Sequence, residues 1–214
     1  MTTEYITRED AAMKQQFDAM CQTICTHGYD THPLTSPFRK ACIGGIVLAV
    51  IISTVAMTSF LFMYERPAQN SYTAASVVFL CIGILLLSVW HEMLHVTGWA
   101  LCAKNHWDAI GFGFIWDELR TFSTCAEPLP LCGYLTGLLF PFLGLSVLPI
   151  TVAMLTGNAL CLIFGMLSTL ATGEDLYIFI NILRHPEYRH GLFLHHPVKT
   201  GVVCFTERKE QQNV

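Results

Sequence analysis

Charge is what this chain has least of. Only 13% of its 214 residues are charged, while 53% are hydrophobic, and an ordinary soluble domain carries roughly 25% charged residues. A soluble all-helical bundle would need several nearly uncharged helices buried on every side, so the composition points instead to a membrane protein. Basic surplus is also missing. Lys and Arg number 12 against 16 acids, a formal net charge of -4, and no basic stripe runs through the chain, which argues against a nucleic-acid partner. No apolar run occurs before residue 40, so no secretory leader is expected. Nine cysteines are present, but Cys42, Cys81 and Cys161 lie inside apolar runs and read as small hydrophobes rather than as a disulfide framework. Cys21 and Cys25, one helical turn apart, read as unpaired thiols.

Four long apolar stretches remain, near 41–63, 73–103, 131–155 and 158–183. Each is long enough to cross about 30 Å of hydrocarbon at 1.5 Å per helical residue. The expected class is an all-α polytopic membrane protein of four transmembrane helices, the third kinked or broken at Pro141 and Pro149. Of the 12 basic residues, only Arg66 lies on the side reached by the 64–72 loop and the 156–158 turn. The positive-inside rule then puts both termini and the 104–130 loop in the cytoplasm, with the plasma membrane as the default location. This divides the chain into a cytoplasmic N-terminal segment (1–40), a membrane domain (41–184) and a cytoplasmic tail (185–214). In the first of these, Thr7 with Asp10 resembles a helix cap, and Met13, Phe17, Met20 and Ile24 form an apolar stripe at helical spacing, expected to pack on the rest of the protein. The 104–130 loop, rich in aromatics and β-branched residues, is a candidate small hairpin turning at Asp117-Glu118.

Chemistry enters at the end of the second stretch, as His91-Glu92-Met93-Leu94-His95. On a helix the two histidines lie one turn apart on one face, so both imidazoles reach a single zinc ion, with Glu92 beside it to take a proton from water. Buried in an apolar segment, such groups are costly unless something compensates, and a metal ion does. A catalytic zinc needs a third protein ligand. The only other acids in any of the stretches are Glu174 and Asp175. His91 lies roughly 27 Å into its stretch and Asp175 roughly 25 Å into its own, at 1.5 Å per residue, and the two stretches run in the same direction. Adjacent helical residues point about 100° apart, so one of the two acids faces the metal and the other is an outer partner or the alternative ligand. His106 is a further candidate for an outer partner. His185, His190, His195 and His196 form a second concentration whose spacing fits no closed zinc site. It reads as a turn region beside the membrane, with His195-His196 as a docking feature of the fold.

The chain also resembles a known family. The segment 91–95, Cys125-Ala126-Glu127-Pro128-Leu129, Gly173-Glu174-Asp175 and the run from His196 to Gly201 occur in the order seen in the zincin-type peptidases grouped as domain of unknown function 3267. Those are similar in outline to the site-2 intramembrane metalloproteases. The likeness covers roughly residues 75–205. It implies a zincin-like HExxH on helix 2, with His91, His95 and Asp175 as zinc ligands and Glu92 as general base. Members commonly carry Gly-Gly-Asp where this chain has Gly173-Glu174-Asp175. The Asn-Pro-Asp-Gly or Leu-Asp-Gly setting of site-2 proteases proper is absent, so their substrate habits do not transfer.

The resulting expectation is a membrane-embedded zinc metallopeptidase that hydrolyses a peptide bond near the cytoplasmic membrane surface. Its partners would be a membrane protein or peptide substrate, the lipid bilayer and, as a candidate, a second copy of itself. A transmembrane substrate must unwind before attack, and a hairpin carrying Gly111 and Gly113 offers an edge to bind the unwound strand. Prolines 141 and 149 would loosen the third span to admit it. The rival readings are a non-catalytic, zinc-stabilised scaffold or accessory subunit, and an ion-coupled carrier. A solitary carrier would be expected to show an internal duplication, and none is evident.

Overall fold

The computed structural model describes residues 8–64, 73–115, 120–196 and 200–208. Thr7, Arg66 and the Asp117-Glu118 turn lie outside them. The chain is mostly helical and contains two helices long and apolar enough to cross a membrane, or four if each of two bent pairs is one span. Helix α1 (Arg8–Thr26) and strand β1 (Tyr29–Ser36) precede α2 (Phe38–Met63), the first long apolar helix. Helices α3 (Ala74–Leu85) and α4 (Leu87–Ala100) make the first bent pair, at 59°. A hairpin of β2 (Ile110–Ile115) and β3 (Arg120–Cys125) follows. Next come β4 (Leu129–Pro130) and α5 (Leu131–Pro141), continued by a π-helical stretch over Phe142–Val147 and by α6 (Leu148–Thr156). Helices α7 (Ala159–Ala171) and α8 (Gly173–Leu183) form the second bent pair, at 55°. Strands β5 (Leu192–His195) and β6 (Thr200–Glu207) complete the described chain.

The helices expose large apolar side chains, in keeping with their composition. Leu85 is 80% exposed and Leu155 78%, and α3 buries none of its residues. Exposed apolar surface on this scale marks a site of contact with a membrane or another protein.

An all-α class does not hold. Besides the expected hairpin, a four-stranded antiparallel sheet runs in the order β1-β6-β5-β4, joining strands from the N-terminal segment, the end of the 104–130 loop and the tail. One of its two inner strands, β6, buries Val202 and Cys204 in the core shared with α4, α5 and α8. Val203 and Phe205 face the other way, against Phe17, Met20 and Ile24 of α1. A strand covered on both faces shows a continuous apolar run rather than alternation, so its period is hidden in the sequence. β1 carries Pro33, which cannot donate to a ladder and is tolerated because β1 is an edge strand. Phe17, Met20 and Ile24 of the α1 stripe pack on this sheet, as their spacing predicts.

The second and fourth stretches are not straight rods. Each breaks at one residue near (-90°, 0°): Leu86 at φ -89°, ψ 0° and Thr172 at φ -88°, ψ 4°. The third, expected to be kinked or broken at its prolines, has no break: it runs on through Pro141 into the π-helical stretch. Pro149 follows in α6, and the helix continues through it as well. Two contacts without side chains set the helices close together. A Cβ on Gly98 of α4 would lie 2.6 Å from Gly137 Cα on α5, and one on Gly45 of α2 would lie 2.6 Å from the backbone of Gly173 at the start of α8.

Candidate metal centre

His91, His95 and Trp99 recur every four residues along α4 and so form one stripe on its inner face. His95 stacks on Trp99, with ring centroids 5.2 Å apart. Trp99 is buried against Gly137, where any added Cβ would collide with the indole. This close approach lets the His95 Nδ1–H reach across to α5 and donate to the Gly137 carbonyl at 2.9 Å. The tautomer is thereby fixed, and the Nε2 lone pair points inward. Asp175 enters from α8, in its first turn, where the positive end of the helix dipole favours a carboxylate.

Three ligand atoms converge. His91 Nε2 and His95 Nε2 are 3.0 Å apart, and Asp175 Oδ2 lies 3.3 Å from the first and 3.4 Å from the second. Tetrahedral zinc with bonds of about 2.0–2.1 Å separates neighbouring donors by about 3.3 Å, so this triangle has the size of one face of such a site. Asp175 Oδ2 is buried without a hydrogen bond of ordinary geometry. A buried oxygen with spare acceptor capacity, facing two imidazole nitrogens, is a donor set that suits a divalent cation. Among the described residues this is the one group of His, Cys, Asp and Glu gathered closely enough to hold a metal ion.

Glu92, half-buried one residue along, accepts a hydrogen bond from Ser123 Oγ on β3 at 2.5 Å. One turn earlier, Ser88 Oγ meets Thr121 Oγ1 at 3.0 Å. Four helical residues advance about 6 Å and two strand residues about 6.7 Å, so the two pairs clip the hairpin to α4 in register. Sequence reading missed Ser123 because a lone serine in a strand carries no signal until its neighbour across the fold is known.

The remaining candidates lie elsewhere. Glu174 faces away from the three ligands and accepts from Thr200 Oγ1 at 2.7 Å. His106, at a left-handed φ of 49°, donates from Nδ1 to the Ala100 carbonyl at 3.0 Å, off the end of α4. Gly111 and Gly113 take part in the hairpin, where the Thr124 hydroxyl and the Phe122 ring cover the positions their side chains would occupy. Of the four tail histidines, His195 comes closest to the cluster. Its Nδ1 lies 3.0 Å from Tyr134 Oη and its ring packs 5.8 Å from Trp99. Burial and the neighbouring His95 imidazole push His195 down to about 4, so it is uncharged at neutral pH. The nine cysteines are all unpaired.

Paired imidazoles, a carboxylate and an adjacent glutamate on helices of an apolar protein define a candidate hydrolytic metal centre. The chain belongs to the family described as "Putative zincin peptidase", whose model matches residues 83–189, half its length. No curated protein and no solved structure gives a match.

Proposed function

We propose that this protein is an intramembrane zinc metallopeptidase with four spans: α2, the bent pair α3–α4, the run from α5 to α6, and the bent pair α7–α8. Both termini lie in the cytoplasm, and the plasma membrane is the expected location. The observation that carries this reading is the convergence of His91 Nε2, His95 Nε2 and Asp175 Oδ2 within 3.0–3.4 Å, with Glu92 on the same helix as the two histidines. Membership of the zincin family supports the same chemistry. The four-stranded sheet supports the orientation, because β1 leads into α2 and β4 into α5 while β5 follows α8.

His91, His95 and Asp175 hold the ion. When bound, zinc supplies Lewis-acid polarisation of the scissile carbonyl and a lowered pKa for water. Glu92 receives a proton from the attacking water and returns it to the leaving amine as the C–N bond breaks. Ser123 keeps the Glu92 carboxylate turned toward the site. The substrate is a membrane protein or peptide whose helix unwinds locally, because a hydrogen-bonded backbone presents no extended strand. The β2–β3 hairpin, carrying Gly111 and Gly113, then takes up that strand by edge pairing. The bilayer itself is a partner, a second copy of the chain is a candidate partner, and nucleic acid is not a partner.

The test is metal content of the detergent-purified protein together with cleavage of membrane peptides, with and without a chelator. One equivalent of zinc and chelator-sensitive cleavage are expected. Glu92→Gln should retain zinc and lose turnover, whereas His91→Ala should lose both. Stoichiometric zinc without cleavage would instead favour a zinc-stabilised scaffold.

A further inference from the structure

In an α-helix the N–H of residue 141 would donate to the carbonyl of residue 137. Pro141 has no N–H. The next amide along, that of Phe142, turns to the Leu139 carbonyl instead. The carbonyl that Pro141 leaves without its helical donor belongs to Gly137, and this same oxygen accepts the Nδ1–H of His95 at 2.9 Å. Pro141 is buried within the span, the helix runs on past it without a break, and so the proline does not serve as a hinge here.

We propose that Pro141 is a positioning residue of the metal centre: by withholding one backbone N–H it frees the Gly137 carbonyl to hold His95 with its Nε2 turned toward the ion. Two features of the surroundings make the arrangement specific. Gly137 lacks a side chain, so α4 approaches closely enough for the imidazole to span the gap, and Trp99 fills the space beside it. Pro149 shares the same apolar run, but its missing donor would have served Leu145, which faces no ligand. A proline in a helix interior ordinarily costs about 3 kcal/mol relative to alanine. Removing Pro141 should therefore firm the helix while weakening the metal site, and these opposite signs separate a positioning role from a merely structural one.

The inference rests on His95 being a zinc ligand. The experiment compares the full-length protein with Pro141→Ala, Pro141→Ser and Pro149→Ala, reading zinc affinity by chelator competition, the visible spectrum of the cobalt-loaded protein and thermal stability of the metal-free form. Pro141→Ala and Pro141→Ser should each lower zinc affinity by about 10-fold or more, the range for losing an outer partner of a metal-bound histidine. They should also change the cobalt spectrum, with metal-free stability equal or higher. Replacing Pro141 by lactic acid, which has the alanine side chain on an ester without an N–H, should restore the parent affinity. Pro149→Ala should leave affinity unchanged.

Unaltered affinity in both Pro141 variants would overturn the proposal while leaving the zinc site standing. So would equal weakening by Pro149→Ala, or failure of the lactate variant to restore binding. A parent protein that binds no zinc would bring down the peptidase reading and this inference together. Nitrogen NMR of histidine-labelled, metal-free parent gives a check that needs no proline variant to fold: His95 should carry a proton on Nδ1, and an Nδ1 without one would refute the mechanism.

Discussion

The two bent helix pairs solve one problem by different means. Each turns by a similar angle, 59° at Leu86 and 55° at Thr172, and each carries its candidate ligands within three turns of the break. Neither break contains proline. At Leu86 the break is apolar and 43% exposed, and α3 ahead of it has no buried side chain. At Thr172 the break is fully buried. There the threonine hydroxyl donates to the Thr169 carbonyl at 3.3 Å and lies 3.5 Å from Ser146 Oγ. The difference follows from the ligands. A carboxylate is well served by the free N–H groups of a helix start, so Asp175 sits in the first turn after its break, inside the protein. Imidazoles gain nothing from that position. His91 and His95 lie further along α4, and His95 takes its support from a carbonyl on another helix.

The sharpest way to break this comparison is at the ligands themselves. Asp175→Asn keeps the shape and removes the charge from the helix start. It should lower zinc affinity by well over 100-fold, more than the roughly 10–100-fold lost with an outer partner. Glu174→Gln, one residue earlier, should leave metal content near the parent value because that carboxylate faces Thr200. Equal loss in both variants, measured by metal analysis of the purified proteins, would mean that the helix start rather than one particular carboxylate binds the ion.

Next come the close backbone contacts. Gly137→Ala would drive a methyl into the Trp99 indole, and Gly45→Ala would drive one into the Gly173 backbone. Each should cost about 1–3 kcal/mol, the usual range for overpacking. Gly83→Ala, on the exposed helix of the first pair, meets only the Phe164 ring, at 3.1 Å, and should cost well under 1 kcal/mol. Thermal unfolding in one detergent would rank them. A fall for Gly83→Ala as large as for Gly45→Ala would show that α3 is packed in a way its exposure denies.

Thr172→Val tests the second break alone. It keeps the volume but leaves the Thr169 carbonyl and Ser146 hydroxyl short of a partner, at a cost of about 1 kcal/mol. Leu86→Met at the first break should change stability by less than about 0.5 kcal/mol. Equal effects would remove the contrast between a buried, hydroxyl-supported break and an apolar one.

How much of this was legible beforehand depends on what kind of signal each residue leaves. His91, Glu92 and His95 announce themselves by spacing, and an acid at matching depth in another apolar stretch is visible because charge is so scarce. Sequence alone left Glu174 and Asp175 open, since only the rotation of α8 decides which of two neighbours faces α4. The bends escaped because Leu86 and Thr172 carry no mark of a break. The hairpin was visible in the β-branched and aromatic residues of its loop. The four-stranded sheet was not, since β6 is buried on both faces and β1 pairs with it across most of the chain. Trp99, Tyr134 and Gly137 were invisible as site residues for the same reason. Their roles exist only across helix contacts.

One parallel between the two ligand helices remains, and it yields the smallest effect. Each carries an acid beside a ligand, and each acid accepts a hydroxyl from a strand: Ser123 on Glu92 at 2.5 Å and Thr200 on Glu174 at 2.7 Å. If the two were equivalent tethers, removing either hydroxyl would have the same consequence. The proposed mechanism predicts otherwise, because it gives Glu92 a proton to move and Glu174 none. Ser123→Ala should lower kcat by roughly 5-fold, the equivalent of about 1 kcal/mol of lost positioning, with zinc content and KM near the parent values. Thr200→Ala should leave kcat alone and appear only as a small loss of stability, again about 1 kcal/mol or less. A Ser123→Ala protein with parental kcat would mean that α4 alone orients the base, reducing the hairpin to a place for the substrate strand.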